Sequence, residues 1–555
     1  MIFKRLYCLL VLSTTSSLAV AQTSVAPVNA DRSIEQSIHQ LQNQAGRIKP
    51  LANLDVLGLE NAKSIDKLLA VEADNDALQK GMQGYWASRL GKSVAAEDVQ
   101  AFNGWLFDQA RSEGYLSYAV THIEKRDGGS VLKVQIVRPH IHAVRVNSLS
   151  PELQQKYAEI VAQRLRKILL IGHPLDTLAL DQRLDTACFD LPIELDSTVR
   201  AAGRDEVDLI INITPAPQRK GEVRDVLLQL NNYGLKSYGR PQILGSVTIG
   251  GLQPRSTLNL VGQVSEGIAY GRAEYDFADP ASQGHWHLWG SASDTHSILG
   301  GATASNGKTA EVGVGHRSQI TEGYRGHRFQ ESADFVARKS QTYLSSTGSL
   351  TSEVHDYQGR FRESIDNSKL SSDASHADFT VTIGGYGRLV NQDNIDTMYA
   401  KVDMDLRQQH TWDMARKWYT VVHVKGQLNS GRLDSYNQLA LGGVDAVRAY
   451  TSVDGVGDRG ILMNLELNRR LDNGMTVGAF YDVGSVRLLS ANTSSEYGGR
   501  YTLQALGMQW SVNDQHWFMN ASVAKGLGGY KAWTAYNIES IPNNWRVYGS
   551  LTYRF

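Results

Sequence analysis

From about residue 216 to the C-terminus, apolar and polar residues take turns in runs of roughly ten, separated by glycine-rich or polar turns. In MYAKVDMDLR (398–407), Met398, Ala400, Val402, Met404 and Leu406 fall on one face, opposite Tyr399, Lys401, Asp403, Asp405 and Arg407. ILMNLELNRR (461–470) sets Ile461, Met463, Leu465 and Leu467 against Asn464, Glu466 and Asn468. WYTVVHVKGQL (418–428) and WRVYGSLTYRF (545–555) alternate in the same way, the latter ending on Phe555. A wholly apolar face opposite a charged one, at period two, describes a barrel wall with lipid outside and water inside. A soluble sandwich also alternates, but its strands usually run about 5–6 residues, whereas about ten cross a bilayer at a tilt. About 340 residues at about 20 per strand and loop predict around 16 strands. Residues 216–555 are therefore expected to form a transmembrane β-barrel, with Glu466 facing its lumen.

Residues 49–215 have another rhythm, in which helix-period segments alternate with short strands twice over. The first unit, 49–139, reads as a strand at LANLDVLGL (51–59), two amphipathic helices at roughly 74–90 and 95–113, and a β-pair around Asp127-Gly128-Gly129. The second, 140–215, repeats the order. IHAVRVN opens it, and a helix from Pro151 follows, with Leu153, Tyr157, Ile160, Val161, Leu165 and Ile168 on one face. A second helix runs to about Asp185, and IELDSTVRA and VDLIINI close the unit. Two βααββ α+β domains thus precede the barrel. Within 22–48, residues 31–45 form a polar helix with one thin apolar stripe, Ile34, Ile38, Leu41 and Ala45. Residues 1–21 read as a secretory signal peptide, with Lys4 and Arg5 before an apolar run and Ala19-Val20-Ala21 at the cleavage site.

Composition narrows the function. Loss of residues 1–21 removes two basic residues and no acid, so 54 basic residues face 57 acidic ones, and nucleic acid is not an expected partner. Cys188 is then the only cysteine, so export brings no internal disulfide, and a small buried hydrophobe is its plain reading. No stretch after the signal peptide offers about 18 consecutive apolar residues, so the bilayer is met by strands. His140 and His142, and His285 and His287, each share a strand face, but neither pair has a third ligand in view, and no metal is expected. No nucleotide loop or Gly-x-Ser-x-Gly nucleophile occurs. No cofactor is expected, and nothing argues for an enzyme.

Two short stretches stand out within the barrel region. VRAYTSVDGVGDRG (447–460) is a glycine-loosened loop carrying Arg448, and FYDVGSV (480–486) is a strand with one aspartate. An arginine on such a loop is usually solvated, and an aspartate in a porin wall usually lines the pore. Alternation, however, puts Phe480, Asp482 and Gly484 on the lumen face, which offers Arg448 a partner.

With these stretches the chain resembles the outer-membrane transporters of two-partner secretion (TpsB proteins, of the haemolysin-activator and filamentous-haemagglutinin transporter type). In that family a long sixth extracellular loop folds into the lumen with Val-Arg-Gly-Tyr/Phe at its tip. The matching residues here are Val447, Arg448, Ala449 and Tyr450, followed by Gly457, Asp458 and Gly460 of GDRG. The wall motif Phe-x-Asp-x-Gly is matched by Phe480, Asp482 and Gly484. Two departures stand out. Ala449 replaces the tip glycine, which suits the loop only if that position needs no positive φ. The proline-rich linker after the plug helix is missing, with only Pro50 nearby.

The resemblance implies a 16-stranded barrel in the outer membrane, with an inward loop around 444–460 and two periplasmic polypeptide-transport-associated (POTRA) domains. The partner it implies is a large, unfolded TpsA-type exoprotein, whether haemolysin, adhesin or contact-dependent toxin. The lipid bilayer surrounds the barrel, and the barrel-assembly machinery meets the terminal strand ending in Phe555. Helix 31–45 would be a plug. An insertase of the same superfamily usually carries more modules than two, and a passive porin leaves the modules unexplained.

Overall fold

The computed structural model describes residues 64–555 apart from short segments, the longest being 112–117, 216–222, 367–373, 490–498 and 529–544. The expected signal peptide, the helix 31–45 and the strand expected at 51–59 lie outside the described residues.

In the first module the helices Asp76–Trp86 and Ala96–Arg111 accompany a three-stranded sheet. The first strand of that sheet is Leu68–Ala73, which pairs parallel with Gly129–Val137, and Tyr118–Arg126 completes the hairpin on the other side. Sequence patterning passed over Leu68–Ala73 because LLAVEA is apolar on both faces at its start and merges with the helix that follows. Met82 and Trp86 of one helix and Phe102 and Leu106 of the other bury themselves with Leu68 and Leu132 of the sheet.

The second module repeats this topology. His140–Ser148 pairs parallel with Glu206–Pro215, which pairs antiparallel with Ile193–Ala201. Its helix Pro151–Arg166 buries Tyr157, Val161 and Leu165, one turn apart each time. Ile160, expected on that face, is exposed instead, because it lies at the margin of the stripe and the sheet meets only the centre. Cys188 is buried among apolar neighbours. The repeat extends to detail, for each first strand carries a β-bulge near its start, at Leu69 in one module and His142 in the other.

From Val223 onward, sixteen long antiparallel strands close into a barrel, with the two-residue strand Thr321–Glu322 attached to one of them. Strand lengths run from 9 to 17 residues, so several outreach the ten expected. The last strand, Trp545–Arg554, closes on the first, Val223–Asn231, from Ser550 opposite Asn231 to Arg554 opposite Leu227. Arg554 Nε also bonds Asp225 Oδ1 at 2.8 Å across this seam. The alternation holds on both faces: Met398, Val402, Ile461, Leu467, Trp545 and Val547 face outward, while Asn464, Asn468, Asp482 and Thr552 are buried inside. Strand Trp418–Asn429 pairs directly with Arg459–Arg470, so the chain between them is free to leave the wall.

Candidate functional site

Residues 430–458 fold into the lumen. The inward segment is thus longer than the 444–460 expected, starting earlier at the polar stretch SGRLDSYNQ (430–438), and residues 459–460 belong to the next strand. A small hairpin shapes it, with Leu439–Ala440 paired to Val456–Gly457 and Leu441 N donating to Gly455 O at 3.0 Å. Gly455 has φ +61°, a conformation that a side chain would resist. Below it, Thr451 N and Oγ1 both donate to Asp454 Oδ2 at 2.7 Å. Val453 packs with Leu235, Tyr238 and Ile268 on one side of the barrel, and Val444 packs with Tyr233 and Tyr548. Leu433 packs with Val354, Tyr386 and Tyr399 on another side. The segment therefore crosses the lumen and touches the wall at well-separated strands.

At its tip, Arg448 is 6% exposed and meets strand Met475–Arg487. Its Nε donates to Asp482 Oδ2 at 3.0 Å and its Nη2 to Asp482 Oδ1 at 2.8 Å, a bidentate fork. The backbone N of Arg448 donates to the same Oδ2 at 3.0 Å. Nη1 donates to Glu466 Oε1 at 2.9 Å and Gln509 Oε1 at 2.8 Å. The guanidinium lies over the Phe480 ring, 3.4 Å from its centre, a cation–π contact. Asn464 ties loop to wall, donating to both Ala446 O and Asp482 Oδ1 at 2.8 Å. Every side-chain nitrogen of the arginine has an acceptor.

The other motif residues have separate tasks. A Cβ at position 484 would lie 2.6 Å from Leu441 Cδ2, so Gly484 lets the loop approach the wall. Among the described residues, Asn391 alone has positive φ apart from glycines, so Ala449 fits its place without strain. Val447 is fully buried, and Tyr450 O accepts from Tyr548 OH at 2.8 Å. Asp458 stands apart from Arg448. Its carboxylate accepts from Leu433 N at 2.9 Å, Gln438 Nε2 at 3.1 Å and Leu489 N at 2.6 Å, which brace the root of the loop. Gly457 and Gly460 pass so close to Val486 that a Cβ on either would collide with it.

Sequence reasoning missed a second attachment. Arg338, on strand Arg328–Leu344, donates through Nη2 to Asp356 Oδ2 at 2.9 Å and to Asp434 Oδ2 of the loop at 3.0 Å. Tyr386 OH donates to Asp434 Oδ1 at 2.9 Å, and Asn437 Nδ2 to Asp356 Oδ2 at 2.8 Å. Loop Tyr436 covers the guanidinium, its ring centre 3.6 Å from Cζ. The only available signal was period two, which sets Arg338 and Asp356 inward, and nothing in LDSYN (433–437) marks it as their partner.

Three of the four histidines in the two pairs bind carboxylates. His142 Nδ1 meets Asp208 at 2.8 Å, His285 Nδ1 meets Asp276 at 3.0 Å, and His287 Nε2 meets Asp334 at 2.9 Å. Among the described residues no group of three or more His, Cys, Asp or Glu could hold a metal ion.

Comparisons with known proteins agree with this architecture. CdiB from Escherichia coli has a similar structure over 96% of this chain and 100% of its own, with TM-score 0.57 and 17% identity. CdiB from Acinetobacter baumannii matches over 95% and 97%, with TM-score 0.54 and 14% identity. BamA from Haemophilus ducreyi lacking POTRA domains 1–3 matches over 89% and 100%, with TM-score 0.50 and 12% identity. At such identities the likeness is one of fold. No curated protein matches the sequence. The family described as haemolysin secretion/activation protein ShlB/FhaC/HecB matches residues 210–510, more than half of the chain. The chain belongs to that family, and is a two-partner secretion transporter of the outer membrane, which moves protein and catalyses no reaction.

Proposed function

We propose that the protein accepts a large, unfolded TpsA-type exoprotein in the periplasm and passes it through its own barrel, with loop 430–458 closing the lumen at rest. The observation that carries this reading is the loop itself, which crosses the lumen and is fastened at its tip by Arg448 to Asp482. The two βααββ modules stand in the periplasm as POTRA domains. Each ends its sheet in edge strands, which can take up an extended cargo segment by main-chain hydrogen bonding. Cargo folding outside prevents return and supplies direction. Phe555, at the end of the closing strand, is the mark by which the barrel-assembly machinery meets the chain. The barrel fold alone also suits an insertase, as the likeness to BamA illustrates, but the family match favours secretion.

The test is to delete 140–215 and express the protein with a large TpsA-type exoprotein that the intact chain exports. Heat-modifiable migration reports barrel insertion, and the culture supernatant reports export. Insertion without export is expected, and normal export would refute recognition by the second module. Helix 31–45 is proposed as a further occluder. Its removal should raise conductance in planar bilayers while export continues, and unchanged conductance would assign closure to the loop alone.

A further inference from the structure

Arg338 holds the root of the loop in an incomplete way. It is 3% exposed, yet Nη2 alone makes both of its carboxylate contacts, while Nε and Nη1 are buried without an acceptor. Buried donors left unpaired are unfavourable, and a guanidinium offers its donors in a rigid fork suited to two oxygens at once. Directly opposite Arg338 in the sheet register, on strand Ser305–Arg317, stands Glu311. Its Oε1 accepts from Trp289 Nε1 at 3.0 Å, and its Oε2 is buried and accepts nothing. Side chains directly opposite on adjacent strands are within reach of each other. An arginine with spare donors therefore sits beside a carboxylate with a spare acceptor.

We infer that Arg338 is a two-position latch, gripping the loop through Asp434 at rest and turning to Glu311 when the limb 433–437 lifts for cargo. This rests on the proposed closure of the lumen by loop 430–458. Release at this end strands no charge on the wall, for Arg338 keeps Asp356 and gains Glu311. Asp434 leaves with donors of its own limb, since Asn437 N and Nδ2 both bond its Oδ1. Asp356 keeps Tyr399 OH at 3.0 Å and Gln358 Nε2 at 2.5 Å after Asn437 departs. Release at the tip is different, because withdrawing Arg448 would leave Asp482 and Glu466 buried with neutral donors only. The root is the end built to let go. In this reading Arg338 and Glu311 are positioning residues for transport.

Full-length protein in planar bilayers tests the latch. Asp434→Asn keeps the shape of the limb but removes its charge, and a several-fold rise in channel opening is expected, with heat-modifiable migration unchanged. Ser435→Cys, in a Cys188→Ala background, should react several-fold faster with an impermeant maleimide once Asp434→Asn is added. Glu311→Gln should leave the rest state closed but shorten the openings made by Asp434→Asn, which loss of a merely structural contact would not do. Arg338→Lys should behave like Asp434→Asn, since the shorter lysine chain does not carry its ammonium out to the Nη2 position between the two oxygens. Unchanged opening and labelling in Asp434→Asn overturns the latch, as do open times indifferent to Glu311→Gln. If Arg448→Ala leaves export intact while Asp434→Asn opens the channel, the tip's proposed role falls and the latch stands. If neither changes conductance, the loop does not close the lumen, and the latch falls with it.

Discussion

The tip and the root of the inward loop are tied by the same kind of bond with opposite polarity. At the tip the loop brings the cation and the wall supplies Asp482 and Glu466, whereas at the root the wall brings Arg338 and the loop supplies Asp434. Both arginines are nearly inaccessible. They differ in how fully they are used. Both guanidiniums lie on an aromatic ring, but Arg448 engages Nε, Nη1 and Nη2, whereas Arg338 bonds through Nη2 only. Burial does not distinguish a permanent pin from a releasable one, but an account of donors and acceptors does.

The comparison can be broken most forcefully at the tip. Removing one partner of a buried ion pair costs about 3–5 kcal/mol, against about 0–1 for an exposed pair. Arg448→Ala and Asp482→Ala should each abolish most export while the barrel still inserts, with Ser452→Cys (Cys188 replaced) becoming accessible to labelling. Export at the parental level from either variant removes the pin from the mechanism. Arg448→Lys should recover little, because it keeps the charge but loses the fork to Asp482. Strong recovery would mean that charge alone suffices.

A double-mutant cycle sharpens the contrast. The pair Arg448/Asp482 should be strongly non-additive in loop accessibility, and the pair Arg338/Asp434 less so, since Arg338 retains Asp356. Equal coupling at both ends would erase the difference between pin and latch. A smaller effect is expected at Ala449→Gly, which should shift stability by at most about 1 kcal/mol, because position 449 does not need positive φ. A large loss there would show that the Ala449 methyl, buried in the apolar cluster of the tip, outweighs backbone freedom at this position.

The surface pair His142–Asp208 of the second module is the weakest case and serves as a control for the buried ones. The hydrogen bond to Asp208 raises the His142 pKa, and the same bond, with Arg145 beside it, lowers that of Asp208. A raised histidine pKa means stabilisation that is full below its ordinary value and fades as pH rises through the raised one. A lowered aspartate pKa means stabilisation that disappears as pH falls through the lowered one. A slight gain in melting temperature is therefore expected between those two limits, and His142→Gln should flatten it. A module whose melting ignores both pH and this substitution has no use for the pair.

The barrel was legible because lipid and water impose opposite demands on alternate residues, as Ile461, Leu465 and Leu467 against Asn464 and Asn468 make plain. The pairing of Arg448 with Asp482 could be anticipated because both lie in short stretches with a family pattern and a defined inward face. The root attachment could not. Arg338 and Asp434 lie far apart in the chain, in segments whose composition is ordinary for a pore wall and a loop, and only closure of the barrel makes them neighbours. Strand Leu68–Ala73 escaped notice for a related reason, since its place is set by the parallel partner Gly129–Val137 rather than by its own pattern.

The matching bulges of the two modules have a consequence for handling an extended chain. In both, the bulge lies in the first strand, at one margin of the sheet, and disturbs the regular spacing there. Such a margin is a poor template for a further strand. The opposite margins, Tyr118–Arg126 and Ile193–Ala201, run in unbroken register with their neighbours. Each module thus has a blunt side and a receptive side, placed alike within its own sheet. Within each module, a guest strand would be steered to the unbroken margin and away from the bulged one.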